Sequence, residues 1–164
     1  MLSSVRSIQR QFAVGLDPPE ADDIDKRAYL VGLTMAAATR AVELAPEDPT
    51  AHRALAIAFW PSCQLEQLRV EAERAIALNP NDAYVLGGLG NFVGFTGQWD
   101  IGVQWAKKAI TLSAPDTPQW WWTIIAENDW FHSRYEEALV SLQKFYIEPH
   151  WLSHLLMAYM LLSL

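Results

Sequence analysis

The stretch Asn81–Pro115, NDAYVLGGLGNFVGFTGQWDIGVQWAKKAITLSAP, decides the fold. Asn81-Asp82 can cap a helix, and Leu86, Leu89, Gly90 and Val93 follow at three- and four-residue spacing. Gly97-Gln98-Trp99-Asp100 makes a turn, after which Gly102, Ala106, Ala109, Ile110 and Leu112 form a second apolar face before Pro115. The pattern predicts a helix, a tight turn and an antiparallel helix. Gly90 and Gly102 fall where the two helices approach closely, and Gly97 can take the positive φ that ends the first one.

Working outward, the unit recurs. Ala109-Ile110-Thr111-Leu112 lies 34 residues after Ala75-Ile76-Ala77-Leu78, which lies 34 after Ala41-Val42-Glu43-Leu44. Asn79-Pro80 and Ala45-Pro46 close the two earlier copies. Forward, Gly97 to Gly102 becomes Ser133-Arg134-Tyr135-Glu136-Glu137-Ala138, displaced by 36, and the linker Ser113–Pro118 holds the two extra residues. A helix–turn–helix unit of this period resembles the tetratricopeptide repeat (TPR). The likeness covers the chain from about Ala28 onward. It implies an all-α solenoid of antiparallel helix pairs wound into a right-handed superhelix. The single domain then divides into an N-terminal helix or linker (residues 1–19), repeats at about 20–48, 49–82, 83–116 and 117–148, and a partial repeat at 149–164.

Composition agrees with one domain and a continuous core: of 164 residues, 51% are hydrophobic and 19% charged. The balance of 19 Asp+Glu against 12 Lys+Arg gives a formal net charge of −7. An acidic chain with no basic run speaks against direct binding of nucleic acid or of an anionic membrane. Cys63 is the single cysteine, so an internal disulfide framework is excluded. It occupies the turn slot that Gly97 fills in the next repeat and reads as a small turn residue. Met1–Leu16 has neither the apolar run of a signal peptide nor the length of a membrane span, so a cytoplasmic location is expected.

Both ends depart from the period. Leu2, Val5, Ile8 and Phe12 recur at helical spacing with Arg6 and Arg10 between them, and Gly15-Leu16-Asp17-Pro18-Pro19 breaks the segment. It reads as a helix whose apolar stripe packs on the first repeat, or as linker. Glu20–Leu44 reads as one long helix with Asp22, Asp23 and Asp25 in its first turns, where they suit the helix dipole. It stands as the second helix of a repeat whose first helix is either degenerate or supplied by the N-terminal segment. At the other end, Pro149 starts a helix that finishes on the apolar Leu162-Ser163-Leu164. A solenoid end needs a polar outer face. The expectation is therefore a fragment of a longer protein, cut inside a repeat and able to self-associate there.

The later half carries a second resemblance. Gly97-Gln98-Trp99-Asp100, Trp120-Trp121-Trp122, Arg134-Tyr135-Glu136-Glu137-Ala138-Leu139 and Trp151-Leu152-Ser153-His154 are similar to repeat regions of certain bacterial signalling proteins. In those, TPRs follow a nucleotide-cyclase domain or a winged-helix DNA-binding domain. The likeness spans roughly Ala41–Leu164 and implies a regulatory role with no catalytic residues of its own.

Catalytic chemistry finds no foothold. His150 and His154 share metal-ligand spacing, but no Glu follows His150 and no cysteine lies near, so they read as a surface or packed pair. Gly87-Gly88-Leu89-Gly90 lies inside a helical pattern and is no phosphate loop. Glu136-Glu137 sits at a helix start, which the dipole accounts for. Neither an enzyme, a metal nor a cofactor is expected.

The eight tryptophans divide by helical position. Trp122 is placed between the two helices of its own repeat, and Trp99 and Tyr135 at the mouths of helix pairs, all as core. The inner face of a TPR superhelix, as the resemblance implies it, runs through Arg53, Ile57 and Trp60, then Tyr84, Asn91 and Phe95. It continues through Trp120, Thr123, Glu127, Trp130 and Phe131 to Ser153 and Met157. The set of Lys, Arg and Asn that grips a peptide carboxylate in similar proteins is absent, since Ile57 and Gly88 stand where asparagines would be needed. An aromatic, mostly uncharged groove suits an amphipathic helix or an apolar extended peptide. The expected function is a protein-interaction scaffold; the alternative is a sensor of a small ligand held by Trp120, Trp130 and Phe131.

Overall fold

The structure, a computed structural model, describes residues 21–145, with side chains from Lys26 onward. The expectations for Met1–Leu16, for the break at residues 15–19 and for the half-repeat with His150, Trp151, Ser153, His154 and Met157 lie outside these residues. Helix α1 (Ala21–Leu44) leads. Three pairs follow: α2 (Pro49–Phe59) with α3 (Leu65–Leu78), α4 (Ala83–Phe95) with α5 (Trp99–Ser113), and α6 (Thr123–Phe131) with α7 (Tyr135–Phe145). Short 3-10 turns at Trp60–Ser62 and Gln119–Trp122 finish α2 and precede α6. Among the described residues there is no strand.

Local chemistry sets the pair boundaries. Asp48 and Asp82 cap α2 and α4 by accepting from the backbone N–H groups of Thr50 (2.7 Å) and Val85 (2.9 Å). Between the two helices within each pair, Cys63 (φ 54°), Gly97 (φ 98°) and Ser133 (φ 59°) take the left-handed conformation. These are the three positions the repeat equates. The backbone reverses there because a left-handed residue stops the helix, and only at Gly97 is it free of Cβ strain.

Alanine makes the packing close. Ala72, Ala75, Ala106, Ala109 and Ala138 on the second helices are buried, so the first helices approach them without large intervening side chains. One core cluster joins Ala56 of α2, Leu68 and Ala72 of α3, and Val85, Leu89 and Val93 of α4, so the pairs stack into a solenoid around a continuous interior. Two polar links tie the stack. The buried His52 ring lies between the Glu71 carboxylate (2.6 Å) and the Pro46 carbonyl (2.9 Å), joining α2 to α3 and to the loop before it. Lys108 Nζ donates to the Pro80 carbonyl (2.6 Å), joining α5 to the equivalent loop of its own pair.

Candidate functional site

Aromatic side chains gather at both ends of the first helices α4 and α6 and at the C-terminal end of α2, counting the 3-10 turns continuous with them. At their C-terminal ends a row of ring contacts runs through all three pairs. Trp60 meets Phe92 edge-on (centroids 5.5 Å apart) and Phe95 at a tilt (6.3 Å). Phe95 meets Trp99 (6.1 Å), Trp99 meets Phe131 (4.9 Å), and Phe131 meets Trp130 (5.3 Å). At the N-terminal ends Trp121 contacts Tyr84 (5.7 Å) and Trp120 (6.1 Å), both edge-on. Edge-to-face geometry of this kind is the favoured arrangement of ring quadrupoles. Phe131, Tyr84 and Trp120 remain 61%, 65% and 37% exposed, so both rows reach solvent.

Between the rows lie the polar members. Arg53 on α2 is half-buried over Gly88 of α4, where a Cβ would come within 2.7 Å of its Nε. That Nε has no hydrogen-bond partner. Burial pushes the guanidinium pKa down, and the charge of Asp82 opposes the shift. Glu127 on α6 is half-buried, and burial lifts its carboxyl pKa from 4.5 to about 7. At three- and four-residue spacing it shares a helical face with Thr123 and Trp130.

Asn91 is different from the other expected groove residues. It is buried, its Nδ2 donates to the Trp120 carbonyl (3.3 Å) and its Oδ1 accepts from Ile124 N–H (3.0 Å). Its carboxamide therefore serves the joint between α4 and the start of α6 and is not available to a partner. Neighbouring glycines serve the same joint: a Cβ on Gly87 would enter the Trp121 ring.

The tryptophans sort less simply than their spacing predicts. Trp122 packs against the Ala126, Ala138 and Leu142 cluster of its own pair, but at half burial and with Lys144 Nζ 4.0 Å from its ring centroid. Trp130, expected on the open face, packs against the same cluster as well as on Phe131. Among the described residues the fully buried tryptophan is Trp121, seated with Leu86 and Ala109 between pairs. Sequence reasoning left it unassigned; the small Gly87-Gly88 pair one repeat earlier was the available signal for a large neighbour. Trp99 and Phe95 are half-buried in the C-terminal row, which gives Trp99 a place in the site as well as in the turn. A shallow depression is lined by Gly97, Gln98, Trp99, Asp100, Ile101 and His132 and holds none of Trp120, Trp130 or Phe131.

No family model and no curated protein matches the chain. Among solved structures, a thermophilic TPR protein of Thermus thermophilus resembles it with a TM-score of 0.65 and 22% identity, over 83% of this chain and 75% of that one.

The fold is a TPR solenoid.

The likeness carries the fold alone, and the TPR reading adds one fact about the site. Tyr84, Trp120, Trp60, Phe95, Phe131, Arg53 and Glu127 all belong to the first helices of TPR pairs or to the 3-10 turns continuous with them. Among the described residues no helix is long and apolar enough to cross a membrane.

Proposed function

We propose that this TPR solenoid is a non-catalytic interaction scaffold whose first-helix face grips an amphipathic helical segment of a protein partner. The observation that carries the reading is the unbroken run of ring contacts from Phe92 through Trp60, Phe95, Trp99 and Phe131 to Trp130, which crosses three helix pairs and stays open to solvent at Phe131. Tyr84 and Trp120 form the opposite rim. From Tyr84 to Phe95, a helical rise of about 1.5 Å per residue separates the rims by roughly 16 Å. That width admits one helix, about 10–12 Å across with its side chains. Rigid aromatics supply large contact area for little ordering entropy and are the commonest hot spots of interfaces. Glu127 between the rims favours a partner with one basic residue on its apolar stripe, because a cation would draw the carboxyl into its charged form. The resemblance to repeat regions of bacterial signalling proteins supports placing this grip in a cytoplasmic regulator that carries a cyclase or DNA-binding domain.

The test is selection of helical peptides on the chain, followed by calorimetric titration into the wild type, Phe131→Ser and Trp120→Ser. Each substitution should weaken binding at least about tenfold while the chain stays folded at the titration temperature. Selected peptides indifferent to both substitutions would overturn the assignment of the groove.

A further inference from the structure

Ionised side chains are scarce on the first helices, and their sign changes from one end of the solenoid to the other. Helix α2 carries Arg53; its other titratable member, His52, is held by Glu71 and the Pro46 carbonyl. Helix α4 contains no charged residue from Ala83 to Phe95. On α6 the acids are Glu127 and Asp129, and Asp129 is paired with Arg134 at 2.7 Å. Arg53 and Glu127 differ from these, since neither makes a hydrogen bond or an ion pair among the described residues. The charge of Asp82 acts on Arg53, but its carboxylate is committed to the Val85 N–H that starts α4. Both Arg53 and Glu127 are half-buried, so water solvates each charge only in part. Burial accordingly pushes both toward their neutral forms.

We infer that the groove reads the charge pattern of its partner: an amphipathic helix lies with an acidic residue over α2 and a basic residue over α6, about eleven residues apart. This rests on the groove being the partner's seat, and it adds which charges the partner carries and which way it lies. Neighbouring first helices touch, α2 and α4 through Ala56 and Leu89, α4 and α6 through Asn91 and Ile124. Packed helices lie about 8–10 Å apart, so Arg53 and Glu127 stand roughly 16–20 Å apart along the solenoid. A helix crossing all three covers about 16.5 Å in eleven residues and returns to within about 20° of the same face. One side of the partner therefore meets both groups. Between aromatic rims that exclude water, each charge pair is stronger than at an open surface. Sign is read and sequence order is not. A helix whose acid precedes its base and one whose base precedes its acid both fit, in opposite chain directions.

The experiment uses helical peptides of about eighteen residues that share one Leu/Phe stripe. At two positions eleven apart they carry Glu and Lys, Lys and Glu, Gln and Gln, or Lys and Lys. Titrations run at about pH 8, above the value of about 7 to which burial lifts the Glu127 carboxyl. The two mixed-charge peptides should bind at least about tenfold tighter than the Lys/Lys peptide, with Gln/Gln between. Arg53→Gln should remove the gain from the Glu end alone, and Glu127→Gln the gain from the Lys end alone. A nitroxide at the acidic end should broaden amide signals of α2, and one at the basic end those of α6, in both mixed peptides. Equal affinities for all four, each lost in Phe131→Ser, would overturn the charge pattern and leave the groove standing. An acidic end that broadens α6 would overturn it as well. Absence of binding by any peptide, or binding indifferent to both Phe131→Ser and Trp120→Ser, would remove the groove and the charge pattern together.

Discussion

Gly90 and Gly102 lock α4 and α5 backbone to backbone: a Cβ on Gly90 would lie 2.9 Å from the Gly102 carbonyl oxygen, and one on Gly102 would lie 2.5 Å from the Gly90 carbonyl oxygen. Neither contact can be relieved by turning a side chain. The close approach of α4 and α5 is therefore set by two missing side chains, and the reciprocal contact fixes their register.

Gly90→Leu should overfill this contact and destabilise the fold by roughly 1–3 kcal/mol. Thermal and urea unfolding measure it. A melting temperature equal to that of the wild type would show that the two helices do not meet at these residues.

Asn91 joins two neighbouring pairs through one carboxamide. Asn91→Leu strands the buried Ile124 N–H, while the Trp120 carbonyl keeps the Thr123 hydroxyl and N–H as donors, and the lost acceptor should cost about 1–3 kcal/mol. The loss should appear as a lower urea midpoint together with a changed tryptophan emission spectrum, since Trp120 and Trp121 sit at this joint. A variant as stable as the wild type would mean that the joint is held by apolar contact alone.

Trp121 and Trp122 are adjacent and predicted to differ. Trp121 is fully buried, so Trp121→Ala should cost about 3–5 kcal/mol. Trp122 is half-buried under Lys144, and its truncation should cost distinctly less, because part of the ring already faces water. Chemical denaturation of the two variants side by side decides the order. The reverse order would contradict the seating of Trp121 between pairs.

Glu127 gives the stability a pH dependence of known sign. Burial raises its folded pKa from 4.5 to about 7, so between those values the folded chain keeps a proton that the unfolded chain releases. The contribution is fully present below the lower value and is lost as pH rises through the upper one. Glu127→Gln should flatten that segment of the profile and be the more stable chain at about pH 8. Urea midpoints of both chains at about pH 5 and about pH 8 test it, and parallel profiles would exclude Glu127 as the source.

The sequence alone determined the fold, because a helix pair leaves a periodic trace. Alternating small residues at Gly90, Gly102, Ala106 and Ala109, capping aspartates at Asp48 and Asp82, and the equivalent turn positions Cys63, Gly97 and Ser133 are all local requirements of the backbone. Cys63 and Gly97 lie 34 residues apart and Gly97 and Ser133 lie 36 apart, so the turns leave a trace, and the Glu20–Leu44 stretch that reads as one long helix is found as α1. The site was legible only as a face. Spacing named the first-helix positions, and Trp60, Tyr84, Phe95, Trp120 and Phe131 do reach the two aromatic rims. Which of them are open to a partner depended on contacts between repeats. Asn91 is consumed by Ile124 and Trp120, Trp130 shares the Ala138–Leu142 cluster, and Trp121 displaces Trp122 as the deepest tryptophan. The physical reason is the 3-10 turn at Gln119–Trp122: it has fewer residues per turn than an α-helix, so it rotates the triplet away from the angles that α-helical spacing assigns. A periodicity argument holds only where the period is constant, and which tryptophan the neighbouring glycines admitted was decided by the tertiary structure.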